Sequence, residues 1–479
     1  MNASDLLTEL ARSPDPFRNA PADLAELQLA AVRERFAERR QQIRTLDRRA
    51  QEVGVTEIRS LDDLVPLLFA HTNYKSYPEA FIDGGQWARM NLWLRTLSAC
   101  PTEDIDVTGV RDVDEWIARA RAAGHHLFAS SGTSGKSSFL DQTARERDYA
   151  GAACLHAFNF SSPDYVPDHS RVVFTQFPAQ GTHKMIEVAS AQFERWAKPG
   201  EVHRPIDEPM LAMDTIRPAQ LRRLLAVGKV RPAEIAAYEA EIAARQVRRA
   251  AAFDLWLEKI IAKRHEPLYL GMMWGPAWTI VERLRARGIR DGDFHPQTLM
   301  SIGGGIKGAR LPADYQEQIT GFFGLTPERI TGSYAMVEMS GLCARIPSTE
   351  SYAIPPWIVP LVLDKAGETL LRPDPLAGAT GPNGAAVATG TSGAADAADA
   401  TFGRGTVEGR MAFFDVLTDA RWGGIISGDK VRVEFGSGLA GVRVPVVHEI
   451  NRYADLEEGE DKLSCAGSID AYVRGSIAA

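Results

Sequence analysis

Cysteine is scarce in this chain of 479 residues. The four present, Cys100, Cys154, Cys343 and Cys465, are isolated from one another. With no CxxC pair and no neighbouring His ladder, neither a disulfide framework nor a zinc site can be read from them. Long hydrophobic runs are also missing. The most apolar stretch, Ile354 to Leu363, holds three prolines in ten residues, well short of the roughly 18 that a bilayer crossing needs. Nor is there an excess of positive charge: 54 Lys and Arg against 62 Asp and Glu leave a net −8. A nucleic-acid or anionic-membrane surface requires a basic face, so neither is expected as a partner. The sequence opens Met-Asn-Ala-Ser-Asp, with no basic segment leading into an apolar one, and a cytoplasmic location is the expectation. What remains is ordinary globular material, 45% hydrophobic and 24% charged, enough for two or three domains at about 150 residues each.

Three stretches differ in texture. Residues 1–110 read as mainly helical, with a long charged helix from Ala22 to Arg49 punctuated by Leu24, Leu27, Ala31 and Ile43. Residues 111–408 alternate short β-like runs (Arg171 to Phe177, Leu268 to Met273, Thr298 to Ile302) with helical ones. The helical runs are Pro232 to Lys263, with Pro in its first turn, Pro276 to Arg287, stopped by Gly288, and Ala313 to Phe323. Such alternation means an α/β layered fold. Within this stretch, 376–405 is almost entirely Ala, Gly, Thr and Asp, and reads as a flexible insertion. Residues 409–479 read as a β-rich closing portion, with strand-like runs at 411–417, 423–435 and 441–447.

The strongest local signal is SSGTSGKSS, Ser130 to Ser138, directly after the apolar pair Leu127–Phe128. Small residues let backbone N–H groups and hydroxyls close around phosphate oxygens, and Lys136 adds charge. It is not a Walker loop, which would need glycine where Ser130 stands. Three further segments follow. Ser301 to Gly308 reads SIGGGIKG, bare backbone at a strand end that a flat ligand can approach. Thr331 to Gly341 reads TGSYAMVEMSG, placing Glu338 four residues beyond Tyr334; a carboxylate beside a triphosphate most often holds Mg²⁺. Ile425 to Asp429 reads IISGD, a carboxylate suited to a ribose diol.

Together these segments resemble the adenylate-forming acyl-ligase superfamily, which includes acyl-CoA synthetases, phenylacetate–CoA ligases and acyl-protein synthetases. The family's [ST]SGT[TS]GK loop is matched by Ser130 to Lys136, and its adenine strand by Gly303 to Gly305. Its YGxTE motif is matched by Tyr334 to Glu338 and its TGD by Ser427-Gly428-Asp429, all in the family's order. Two departures stand out: Val337 replaces the motif's threonine, and Ser468 stands where an arginine is expected near the hinge. Nine residues follow Asp470. The resemblance therefore implies an α/β large lobe with multiple sheets, a helical N-terminal region and a missing C-terminal small lobe, the shape of the acyl-protein synthetase branch.

The implied activity is activation of a carboxylic acid by ATP as an acyl-adenylate, with release of pyrophosphate and transfer of the acyl group to a thiol. The acceptor would be CoA, the phosphopantetheine of a carrier protein, or Cys465. Ser131, Gly132, Thr133, Ser134, Gly135 and Lys136 would hold the phosphates; Gly303, Gly304, Gly305, Ser333 and Tyr334 the adenine; Asp429 the ribose; and Glu338 the Mg²⁺. Lys307 and Lys430 are the local lysines that could stand in for the one on the missing lobe. The acid pocket is implied around Phe177 to Lys184 and Trp274 to Pro276, with His183 and Trp274 as substrate contacts. Two alternatives stay open: a CoA ligase of the phenylacetate type, or a nucleotide-binding interaction protein that has lost catalysis.

Overall fold

The computed structural model describes residues 1–130, 136–162, 167–303, 311–373 and 403–453. Ser131, Gly132, Thr133, Ser134, Gly135, Gly304, Gly305, Lys307 and Cys465, with most of the 376–405 run, lie outside the described residues.

Five parallel strands form one sheet in the order Ala197–His203, Arg171–Thr175, Leu268–Met273, Leu299–Gly303, Ile330–Thr331. Every residue of Arg171–Thr175 and of Leu268–Met273 is buried, as strands covered on both faces must be. The covering helices include Lys184–Trp196, Pro232–Lys263 and Trp274–Ala286. Gly271 marks one close approach: a Cβ there would meet the Phe193 ring at 2.2 Å.

The second sheet has eight strands and is antiparallel along its main path. Its order is Ile358–Leu363, Gly405–Asp415, Gly424–Phe435, Val446–Arg452, Tyr352–Ala353, Cys343–Arg345, Ser333–Tyr334. Phe69–Ala70 joins alongside Gly424–Phe435 in parallel. Gly424–Phe435 alternates buried and half-buried residues over most of its length, the pattern of a sheet with one covered face. The two sheets are joined at Gly332, where the chain leaves Ile330–Thr331 and enters Ser333–Tyr334. A third, two-stranded ladder pairs Phe128–Ala129 with Phe139–Leu140.

The N-terminal region is helical apart from Phe69–Ala70 and short 3₁₀ turns. The helix expected over Ala22 to Arg49 breaks at Ile43, which has extended dihedrals (φ −107°, ψ 104°) and is fully buried. Two helices result, Leu24–Gln42 and Arg44–Val53. The first is less solvated than its charge suggests: Arg35 and Arg39 are buried with Phe36 and Val32, and both reach Asp419. These helices share one hydrophobic core with the antiparallel sheet, from Leu7 to Val447. The parallel sheet has two cores of its own, one built on Phe174, Trp256 and Leu270 and a smaller one around Trp196 and Tyr269. No described helix is long and apolar enough to cross a membrane.

Candidate active site

The segments selected from sequence converge on one edge of the molecule. Gln176–Lys184 follows the carboxyl end of Arg171–Thr175, Trp274 follows Leu268–Met273, Gly303 ends its own strand, and Ser333 follows Ile330–Thr331. The carboxyl edge of a parallel sheet is where loops diverge and leave room for a ligand.

The described ends of the glycine-rich segment, Ser130 and Lys136 to Ser138, adjoin the two strands of the short ladder. Ser130 N–H donates to Ser138 O at 2.8 Å, and Ser138 N–H donates back to Ser130 Oγ at 2.7 Å, so two serines close its neck. The hairpin docks on the segment that follows Arg171–Thr175 through Ala129 N–H to Thr182 O at 2.9 Å. Lys136, the last residue of the loop motif, carries its ammonium 4.9 Å from the ring centre of Tyr77. Tyr77 is itself buried and donates its hydroxyl to Ser137 O at 2.9 Å. A residue from the N-terminal helical region therefore underlies the phosphate-loop lysine.

Across the site, Tyr334 donates its hydroxyl to Asp429 Oδ2 at 2.8 Å, with both side chains buried. Asp429 N–H donates to Ser427 Oγ, and Ser427 Oγ–H donates to Met411 O, so the Ser-Gly-Asp turn is anchored to the adjacent strand. Lys430, next in sequence, falls on the opposite face and pairs with Glu408 at the surface. It does not join Asp429 in the site.

Glu338 is 8% exposed, and among the described residues its carboxylate makes no hydrogen bond or ion pair. Its backbone is the opposite case. Arg421 Nη2 donates to Glu338 O at 2.6 Å, and Lys184 Nζ donates to Val337 O at 3.4 Å and to Met339 O. Ser340 N–H donates to Asp415 Oδ2 at 2.5 Å, while Ser340 Oγ donates to Glu146 Oε1 at 2.7 Å. Glu146 and Arg421 form an ion pair at 2.9 Å, exposed by 0% and 2% at their side chains. Burial pushes the Asp415 carboxyl up to about 6 and Lys184 down to about 8, the neighbouring Arg421 adding to the latter. Burial would raise Glu146, but Arg421 and its hydrogen-bond donors outweigh it and hold the carboxyl low.

Of this buried quartet, Lys184 entered the sequence reading only as the end of the implied acid pocket, and Glu146, Asp415 and Arg421 were not singled out. Glu146 has the one local signal, the T-x-x-E of Thr143 to Glu146 at a helix start, which reads as a capping box. Thr143 Oγ1 does accept from Glu146 N–H at 3.0 Å, but the Glu146 carboxylate turns to Arg421 instead. Nearby, Asp141 Oδ2 accepts from Ser98 Oγ and faces His125 Nδ1 at 2.7 Å, while Pro101 O faces the other ring nitrogen at 2.8 Å. Burial alone would lower His125; those acceptors outweigh it and raise its pKa.

His183 is 3% exposed, and among the described residues neither ring nitrogen has a hydrogen-bond partner; the Met210 carbonyl faces it without completing one. Burial pushes its pKa down to about 4, so it is a neutral imidazole at pH 7. Trp274 is half-buried at the start of its helix and meets Tyr315 edge-on at 5.5 Å. Met272 and Met273 belong to the parallel-sheet core.

Mg²⁺ is held by oxygen ligands, commonly one or two carboxylates with substrate phosphates and water. An uncommitted buried carboxylate such as Glu338 fits that need. Among the described residues no group of three or more His, Cys, Asp or Glu forms a metal cage by itself.

No protein-family model matches the chain, and no curated protein sequence matches it. Among solved structures it is similar to ATP-bound MatB from Rhodopseudomonas palustris, at 14% identity and a TM-score of 0.33, covering 68% of this chain and 47% of that one. It is also similar to the adenylation domain of a keto acid-selecting NRPS module bound to keto acyl adenylate (9%, TM-score 0.31, 69% and 51% covered). A third is a fatty acyl-adenylate ligase from L. pneumophila in complex with acyl adenylate and pyrophosphate (11%, TM-score 0.30, 67% and 49% covered). The chain spans about half the length of these structures. The solved structures it is similar to are adenylate-forming ligases, and the functional reading of the chain rests on the geometry above rather than on a likeness at TM-scores of 0.30 to 0.33.

Proposed function

We propose that the chain activates a carboxylic acid with ATP, forming an acyl-adenylate and pyrophosphate, and passes the acyl group to a thiol. The observation that carries this is the Tyr334–Asp429 contact at 2.8 Å, which joins an aromatic and a carboxylate suited to adenine and ribose, with Glu338 four residues further on.

A substrate carboxylate oxygen bonds to the α-phosphorus while the bond to the β-phosphate oxygen breaks, and the electron pair leaves with pyrophosphate. Lys136 and the hairpin loop meet the charge on the departing phosphates. Asp429 accepts hydrogen bonds from the ribose hydroxyls, and the Tyr334 ring packs against the base opposite Gly303. Glu338 holds the metal; Mg²⁺, when bound, neutralises charge developing on the phosphates. In the second step a thiol sulfur attacks the acyl carbonyl and AMP leaves. Described cysteines are poor acceptors, since burial pushes Cys100 up to about 11 and Cys154 to about 12, and pushes Cys343 up as well. That favours CoA, a carrier's phosphopantetheine or Cys465.

The test is pyrophosphate exchange into ATP with a panel of aromatic and medium-chain carboxylic acids. Acid-dependent exchange supports the reading; none with any acid, from protein that binds ATP, overturns it.

A further inference from the structure

Residues 335–342 contain no regular secondary structure, yet four successive residues within them have backbone groups fixed by buried side chains. Lys184 takes the carbonyls of Val337 and Met339, Arg421 takes that of Glu338, and Asp415 takes the N–H of Ser340. Lys184 and Arg421 come from different elements, one from the helix Lys184–Trp196 and the other from the turn between Gly405–Asp415 and Gly424–Phe435. Lys184 is 6% exposed and Arg421 2%. A ladder strand satisfies its backbone with neutral groups; here two cations and one carboxylate do so, at considerable desolvation cost. The segment's one ionisable side chain, the Glu338 carboxylate, makes no hydrogen bond or ion pair among the described residues.

We propose that Lys184 and Arg421 are positioning residues: they clamp three consecutive carbonyls and so fix the direction in which the Glu338 carboxylate faces the metal and phosphates. The proposal rests on the reading of Glu338 as the metal-holding carboxylate. Neither cation touches the reacting atoms. Both act through the backbone of the residue that does, and a shift of about 1 Å in a reacting group can reduce turnover about 100-fold.

The test uses the full chain with Lys184→Met, of similar length and uncharged, and Lys184→Gln, which is uncharged but keeps an N–H donor group. Two readouts are taken: pyrophosphate exchange, and binding of Mn²⁺ in the presence of ATP by electron paramagnetic resonance. Lys184→Met is expected to lower exchange kcat roughly 30-fold and weaken Mn²⁺ binding roughly 10-fold, with the KM for ATP within about threefold of wild type. Lys184→Gln should recover part of both losses. The decisive comparison is with Glu338→Gln: adding Lys184→Met to it should cost no more than about a further twofold, because both changes remove one function. Fully additive losses, or Mn²⁺ binding unchanged in both Lys184 variants, overturn the clamp and leave adenylation standing. A wild type that binds Mn²⁺ with ATP but exchanges no pyrophosphate with any acid overturns the adenylation reading, and the metal readout then decides the clamp alone.

Discussion

Tyr334 and Asp429 are hydrogen-bonded at 2.8 Å although three strands separate theirs in the sheet order. Four inter-strand steps would put them about 19 Å apart in a flat sheet. The antiparallel sheet is therefore curled until its edge strand faces its middle, and the candidate nucleotide pocket lies in the curl. Asp429→Ala should raise the KM for ATP about tenfold or more while leaving kcat within about threefold, since the ribose is unchanged by the reaction. Tyr334→Phe should move KM in the same direction by less. A fall in kcat at constant KM in either variant would falsify the assignment of this pair to the nucleotide.

Glu338→Gln should lower exchange activity by about 100-fold or more, because a carboxylate that holds Mg²⁺ acts on charge that grows in the transition state. Its melting temperature should stay within about 2 °C of wild type, as removing an uncommitted buried charge relieves a desolvation cost. Thermal melts and exchange kinetics on one preparation check both halves.

Lys136→Ala should reduce kcat far more than it raises the KM for ATP, since pyrophosphate charge grows during the reaction. Tyr77 supplies a graded control. Tyr77→Phe loses the bond to Ser137 O but keeps a ring beneath the ammonium, whereas Tyr77→Leu loses both. The order of kcat is expected to be wild type, Tyr77→Phe, Tyr77→Leu, and equal values for the two variants would remove the ring from the account.

Breaking the Glu146–Arg421 pair by Arg421→Met should destabilise the protein by about 3–5 kcal/mol, because Glu146 is left charged and buried. Replacing both partners, Glu146→Leu with Arg421→Met, should be less harmful than Arg421→Met alone. Urea midpoints give the comparison; a double variant worse than either single one would mean that the pair does not act as a unit.

His183 sets an acid limit. Its pKa falls from 6.5 to about 4 on folding, so between those values the unfolded chain holds a proton that the native one does not. Stability is then present above pH 6.5 and is lost as pH falls toward 4, by roughly 3 kcal/mol in all. His183→Phe should flatten the melting temperature over that window, which a pH series on the two proteins would show.

How far the sequence carried depended on range. Pro232–Lys263 and Leu268–Met273 were legible to the residue, because a proline in the first turn and a continuous apolar run act locally. The strand Leu299–Gly303 and the helix Tyr315–Phe322 were displaced by only a residue or two. The break at Ile43 was not legible, since the flanking residues favour helix and only burial of that side chain imposes the bend. In the site, Tyr334, Glu338 and Asp429 stood out through their motifs. Lys184 and Arg421 did not, because the groups they serve are backbone carbonyls, which every residue has, and Glu146 lies 275 positions from its partner.

The turn at 415–422 has one more consequence, for the order of assembly. It receives Arg39 of the first long helix at Asp419, Tyr74 at Trp422, Ser98 at Ala420 and Glu146 at Arg421. Each contact spans more than half of the chain, the longest 380 positions. In a nascent chain emerging from the ribosome, Glu79 and Asp83 can meet Arg223, and Gln28 the carbonyls of Pro356 and Ile358, but docking of the N-terminal third is complete only once the last fifth is made, whereas the parallel sheet closes within residues 171–331. Loop closure over such spans is slow. The first helices to be synthesised are among the last to dock, and pulse-labelled hydrogen exchange during refolding should show amides of Leu268–Met273 protected before those of Leu24–Gln42.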